Sequence, residues 1–402
     1  MKNRSHDRLN IAFIVLQCLY MGQSCLVAGF AALFLEHRGL DNFAIGLVIA
    51  SAKLLSFVVI SALASYMDRH KEILFRIVRI LLIVQAAALI LELAAAGSAV
   101  SALAFVLISG SYSVMGAFVT NIYTQLLHSG HSVNYGVSRG VGSLSYTLVS
   151  TGAGLVMARF TPELVPIGCL LLLLLIMANV SYIRRRCVLC EASRADTPVP
   201  PAGSRSLRAF LRDTPGFMLF IVGIFLLYTA YLSFGSFTVN IVSDISGGTG
   251  HLGLYNGVCA LFEVPFMLLY SCYSKNREDK VFAFCLVFFS VKILVAALSH
   301  SIRVFFLTAL LQGISFGIYV PASVDFVRRH CGEADSIKSQ ATVKLASTLG
   351  SVIGLLVTGR LLDKLPLRVV LVVLTVLAAL GAAACLCAMR KIRASDKTYA
   401  HI

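Results

Sequence analysis

The stretch AIGLVIASAKLLSFVVISALA, residues 44–64, has a single charged residue, Lys53. A helix of about 20 apolar residues is long enough to cross the hydrocarbon of a bilayer. A cation inside such a run costs a few kcal/mol or more, so it faces water, a counter-ion or a ligand. Arg139, Lys292 and Lys344 sit in apolar runs of the same kind. The pattern describes a membrane bundle with a polar interior, and that interior is where function is to be sought.

The rest of the chain fits. Its 402 residues are 58% hydrophobic and 13% charged, with mean hydropathy +0.85, whereas a soluble domain has about 25% charged residues. Hydrophobic runs recur about every 33 residues, which predicts an all-α membrane protein of twelve spans joined by short loops. The first half holds 10–35, 42–66, 74–96, 100–127, 135–158 and 167–183. The second holds 215–242, 252–273, 280–298, 303–327, 338–361 and 367–389. The first run is too long for the apolar part of a signal peptide and lacks a clear small-residue cleavage site, so it is expected to stay as the first helix.

A net charge of +15 would suit nucleic acid, but its distribution does not. By these spans about 25 of the 34 Lys and Arg fall at one membrane face and about 6 at the other, the bias of cytoplasmic loops. Both termini are then cytoplasmic, which requires an even number of spans. The expected location is a plasma membrane of the bacterial inner-membrane type. The expected partners are lipid, a small solute and a proton, with no nucleic acid and a functional monomer. The eleven cysteines lie mostly within helices, where Cys acts as a small hydrophobe. Cys187 and Cys190 form a lone CxxC without two further ligands nearby, so no metal and no cofactor is expected.

The polar stretch 184–214, rich in Arg, Ser, Ala and Pro, reads as a cytoplasmic linker. It separates a six-span bundle, 1–183, from a second, 215–389, and 390–402 forms a tail. The halves are weakly alike. Ile45-Gly46-Leu47 opens the second span and Leu252-Gly253-Leu254 the eighth; Gly154-Leu155-Val156 lies late in the fifth and Gly354-Leu355-Leu356 late in the eleventh. Such matches suit a parallel repeat of two pseudo-symmetric bundles. The glycines of the fifth and eleventh spans suit close helix packing, and equally bending.

These features together resemble the major facilitator superfamily over essentially the whole chain. Asp68-Arg69, in ASYMDRHKE, is similar to the family's 2–3 loop signature and implies a gating loop. NYGVSRGVGSLSY (134–146) and FSVKIL (289–294) resemble the fifth and ninth helices of the branch that contains lactose permease and related sugar and aromatic-acid symporters. That resemblance implies two bundles rocking in alternating access around a midplane site, with Arg139 binding substrate and Lys292 on a basic position. It sets Asn121 where a glutamate binds sugar hydroxyls, Gln312 where a coupling histidine stands, and Ser315 near that histidine's glutamate. The first and seventh helices line the cavity in this superfamily. Gln17, Tyr20 and Gln23, and Tyr228 and Tyr231, are therefore candidate substrate contacts, against plain helix–helix hydrogen bonds.

The interior charges can be weighed. Arg139 either snorkels to the membrane edge or offers its fork to a carboxylate, phosphate or diol. Glu263, just before Pro265 in the eighth span, is the expected partner of Lys53, with Lys292 competing for it. Asp325 is expected to pair with Arg328 or Arg329, and Glu92 and Asp244 to be solvated at span ends. Lys53, Arg139, Lys292 and Lys344 outnumber Glu263, so an anionic substrate would relieve the excess. Glu263 is the first candidate to carry a coupled proton and Asp325 the second. The expectation is a secondary active transporter of a small organic anion or sugar-like solute, coupled to protons. The alternatives are an efflux transporter and a non-transporting membrane sensor. No cluster with catalytic spacing speaks for an enzyme; His128 and His131 share one short loop.

Overall fold

Helix caps and glycines set where the helices start and stop. The Asp41 carboxylate accepts the Ala44 N–H at 2.7 Å, and the Asn134 side chain accepts the Val137 N–H at 3.0 Å. Each satisfies one of the orphan donors of a first helical turn. Gly247, at φ +69°, closes another helix in the left-handed conformation that glycine adopts without strain. The computed structural model describes residues 2–67, 73–128, 133–191, 215–273 and 277–399, which are helical apart from short connections. Asp68, Arg69, His131 and 192–214 lie outside these residues, and the Cys187, Cys190 and His128 side chains are likewise outside the description.

The first region runs α1 (Lys2–Ser24), a π-turn (Cys25–Gly29), α2 (Ala31–His37), α3 (Asn42–Met67), α4 (Leu74–Ala94), α5 (Ser98–His128), α6 (Tyr135–Arg159) and α7 (Leu164–Glu191). The second runs α8 (Pro215–Ser236), α9 (Thr238–Ser246), α10 (Leu252–Tyr273), α11 (Glu278–Leu298), α12 (Ile302–Phe305), α13 (Leu307–Gln312), a π-turn (Gly313–Gly317), α14 (Ile318–Leu362) and α15 (Leu367–Tyr399). Among the described residues, twelve stretches are long and apolar enough to cross a membrane. α14 carries the end of the tenth and all of the eleventh.

Three expected continuous spans are broken. The first is interrupted by its π-turn, the seventh at Phe237 and the tenth at Phe306 and again at Gly313–Gly317. α7 continues to Glu191 where a linker was expected from residue 184, so Cys187 and Cys190 lie on a helix. α15 likewise continues past the expected end to Tyr399.

The described residues fall into two compact units, those of Met1–Thr197 with Thr249–Ala260 and those of Pro198–Gly248 with Leu261–Ile402. In lipid, apolar burial alone does not drive helices together, so close packing and polar bonds must do so. In the second unit a Cβ at Gly223 would lie 2.9 Å from the Gly381 carbonyl oxygen, so α8 and α15 meet backbone to backbone. Beside them Phe220, Phe282 and Phe326 are fully buried, with ring centroids 5.1–6.1 Å apart. Asp279, in the first turn of α11, is ion-paired with Arg329 of α14 at 2.9 Å and Arg393 of α15 at 2.7 Å. In the first unit a Cβ at Gly154 would lie 2.8 Å from the Gly253 Cα, and Ser150 donates to the Gly253 carbonyl at 2.6 Å. Gly154 and Gly253 thus allow a close helix approach here.

Candidate functional site

Glu263 stands on α10 two residues before Pro265, whose ring lacks an N–H. The π-turn after α13 packs onto that segment. A Cβ at Gly313 would lie 2.6 Å from the Phe262 carbonyl oxygen, and one at Gly317 would lie 3.1 Å from the Glu263 carbonyl oxygen. Glycine at 313 thus permits an approach that a side chain would block, and it brings Gln312, the last residue of α13, against Glu263. The Gln312 Nε2 donates to Glu263 Oε1 at 2.6 Å and to the Tyr231 hydroxyl at 2.9 Å. Its Oε1 accepts from Lys292 Nζ.

Only one orientation of this amide works. An ammonium only donates and a carboxylate only accepts, so the oxygen must face Lys292 and the NH2 group Glu263. Lys292 is 3% exposed. Its Nζ lies 4.8 Å from the Phe234 ring centroid and 5.6 Å from that of Tyr231, so the cation is boxed by π-faces as well. Tyr231 stacks on Phe316 with centroids 5.1 Å apart, and Tyr228 stands edge-on to Tyr231 and Tyr319. Four residues singled out in sequence as separate candidates, Tyr231, Glu263, Lys292 and Gln312, form one hydrogen-bonded set. Ser315 is buried, and its hydroxyl donates to the Leu311 carbonyl, not into that set.

The first unit is arranged differently. Asn134 caps α6, and Arg139 follows one turn after Tyr135. Arg139 is half-buried, and its Nη1 contacts the Met21 Sδ at 2.7 Å. Among the described residues no carboxylate lies in ion-pair range of it. A thioether is a weak acceptor, so the charge stays largely uncompensated. Tyr20, beside Met21, stacks on buried Tyr112 with centroids 4.8 Å apart and an interplanar angle of 13°. Its hydroxyl lies against Gly116, where a Cβ would come within 3.2 Å of Tyr20 Cζ.

The other candidates separate. Gln23 is buried and donates to the Cys169 carbonyl of α7 at 3.2 Å, a helix–helix bond. Gln17 is buried, Lys53 half-buried, and Asn121 and Lys344 are exposed. Among the described residues the Lys344 side chain has no hydrogen bond and no ion pair. Asp325 accepts from the Tyr270 hydroxyl at 3.0 Å and pairs with Arg328 at 3.3 Å, the first of its two expected partners.

Asp244 is exposed as expected. The expectation of a solvated Glu92 is corrected: its side chain is wholly buried, paired with Arg38 at 3.1 Å and accepting from Ser101 at 2.7 Å. Arg38 lies just past α2 and folds back over α4, a meeting that a span boundary in sequence does not reveal. Phe234, Met21 and the two glycines of the π-turn were not singled out either. Phe234 follows Tyr231 by three residues on one helix face, a signal that was available.

Residues 13–382 match the family model described as MFS_1 like family. The chain belongs to this family. It is accordingly a membrane transporter of the major facilitator type, and transport, not catalysis, is what the MFS_1 like family implies. No curated protein sequence matches the chain. Solved structures do. A point mutant of the nucleoside transporter NupG superimposes with TM-score 0.76 at 14% identity, over 94% of this chain and 99% of that one. A bacterial homologue of the human lysosomal transporter Spinster gives 0.68 at 14%, over 96% and 98%. The human organic anion transporter MFSD10 gives 0.62 at 13%, over 94% and 99%. Likeness at such identity is likeness of fold. Among the described residues no group of three or more His, Cys, Asp or Glu is placed to hold a metal ion.

Proposed function

We propose that this transporter is a secondary active symporter of a small organic anion, working by alternating access of two six-helix halves, with Glu263 carrying the coupled proton. The observation that supports this most is Arg139. A guanidinium inside a span, set against a thioether and not a carboxylate, is costly unless an anion visits it. Lys344 adds a second cation within an apolar span, whereas Lys292 and Glu263 are joined through Gln312. A planar fork binds a carboxylate with two parallel hydrogen bonds, which a point charge cannot imitate.

The same reading gives Asp68 and Arg69 the gating loop and places 184–214 and both termini in the cytoplasm of a cell with this protein in its inner membrane. The working unit is one chain. The motifs that resemble the lactose permease branch would then serve a carboxylate in place of a sugar.

Counterflow in proteoliposomes tests the reading. Labelled organic acids should exchange, and lactose and uridine should not. Arg139→Lys, which keeps the charge and loses the fork, should weaken the accepted acid about 10-fold, the worth of one good charge-assisted hydrogen bond. Exchange of neutral solutes alone, or wild-type affinity in Arg139→Lys, would overturn the proposal.

A further inference from the structure

We infer that Gln312 is the positioning residue of the proton site, a fixed amide through which Lys292 and Glu263 act as one charge-balanced unit. The inference rests on the reading of Glu263 as proton carrier. Every hydrogen-bonding position that Gln312 uses is accounted for. One oxygen lone pair takes Lys292, and the two N–H bonds go to Glu263 and Tyr231. Rotating the amide by half a turn would set N–H against an ammonium and C=O against a carboxylate, so the two charges hold it from opposite sides.

The bonding has a consequence for Lys292. It was a candidate substrate contact, but it is buried, boxed by Phe234 and Tyr231, and donates to Gln312. It touches the transported solute only through its effect on the set. With Glu263 ionised, the ammonium, amide and carboxylate sum to zero. When Glu263 takes a proton, the set becomes more positive by one charge, and Oε1 can keep its bond from Gln312. A cationic interior favours an anion, and by linkage a bound anion favours the proton to the same degree. Proton and solute then load together. The amide keeps the carboxylate and the lysine at a constant separation, so charge gained at one end is felt by the other. The elements packed here bring Tyr231 and Phe234 from α8, Lys292 from α11, Phe262 and Phe266 from α10 and Gln312 from α13. Lys292 and Glu263 are the charged groups among them.

The test reads the number of protons moved per solute, with a trapped pH dye and labelled solute in proteoliposomes, using the organic acid that wild type exchanges best. Gln312→Leu combined with Lys292→Met removes the amide and the cation together. It should still exchange solute but move protons at less than about one-fifth of the wild-type ratio, the loss expected when one coupling of 1 kcal/mol or more disappears. Gln312→His should retain most of the ratio, because a neutral imidazole also accepts on one nitrogen and donates on the other. A merely structural Gln312 would lower exchange and proton movement in parallel, leaving the ratio at the wild-type value, and that result overturns the inference. A wild-type ratio in Glu263→Gln is a different failure: it removes Glu263 as proton carrier, and the inference falls with it. Loss of the ratio in Gln312→His would show that the accept-and-donate pattern does not suffice to join Lys292 to Glu263, which also overturns the inference.

Discussion

Lys292 and Arg139 are both cations inside apolar spans, and the two units treat them in opposite ways. In the second unit Lys292 is buried, hydrogen-bonded to Gln312 and covered by two aromatic faces. In the first, Arg139 is half-buried against a methionine sulfur, with no carboxylate near it among the described residues. A buried charge is tolerable when geometry and further hydrogen bonds repay its desolvation. Lys292 is repaid by the protein itself. Arg139 is not, and the imbalance is what a ligand site in a membrane interior looks like. The first unit can close a cation when the fold requires it, since Arg38 is paired with Glu92, whose same oxygen accepts from Ser101.

The comparison breaks first at Gln312. Gln312→Leu takes one acceptor from a buried ammonium and one donor from a carboxylate, which costs roughly 3 kcal/mol. Thermal unfolding in detergent should show a large drop, and adding Lys292→Met should recover most of it. A single variant as stable as wild type would mean that water already serves Lys292, and that the second unit is no more closed than the first.

Glu92→Gln comes next. It keeps the acceptor for Ser101 but leaves the Arg38 guanidinium without its counter-charge. Because Arg38 is about one-fifth exposed, water offsets part of the loss, and a drop of about 2 kcal/mol is expected. Transport should persist in the protein that remains folded. Loss of solute binding at unchanged fold would make this pair part of the site.

Arg139→Ala should do less to stability than either, about 1 kcal/mol or below, since no carboxylate is stranded by its removal. Affinity for the transported acid should nonetheless fall by more than 10-fold. A destabilisation as large as that of Gln312→Leu would show that Arg139 is a structural cation and not a substrate contact.

What could be read in the sequence follows from what each feature depends on. Run length and charge spacing mark the spans, because a bilayer imposes both on every segment separately. Lys292, Glu263, Gln312 and Tyr231 were each visible as polar residues in apolar runs, yet their joining was not. It depends on Gly313 and Gly317 letting a π-turn settle on the Phe262–Phe266 segment, and π-turns have no strong signature in composition. The bond Glu263 accepts from Gln312 is set by that local packing, which repeat symmetry does not reveal. Arg38 and Glu92 stand 54 positions apart, and neither looks unusual at the end of its own helix.

The smallest expected change in stability and affinity belongs to Glu263→Gln, and it has the largest consequence for mechanism. The amide has nearly the volume of the carboxyl group and keeps an oxygen for the Gln312 N–H. The set it leaves, one ammonium and two amides, has the charge of the protonated wild type. The fold should therefore hold within about 1 kcal/mol, and solute should bind and exchange as it does to the proton-loaded protein. Accumulation driven by a pH gradient should vanish, because the group that would release the proton is gone. The alternative is a structural Glu263 that serves only to balance a lysine. It predicts that Glu263→Gln loses expression, and that neutralising that lysine restores both the fold and pH-driven accumulation. Full accumulation in Glu263→Gln alone would remove the coupling role. Asp325, already held by Tyr270 and Arg328, would then be the next carboxylate to substitute, and the closed arrangement around Lys292 would stand as packing without a part in the transport cycle.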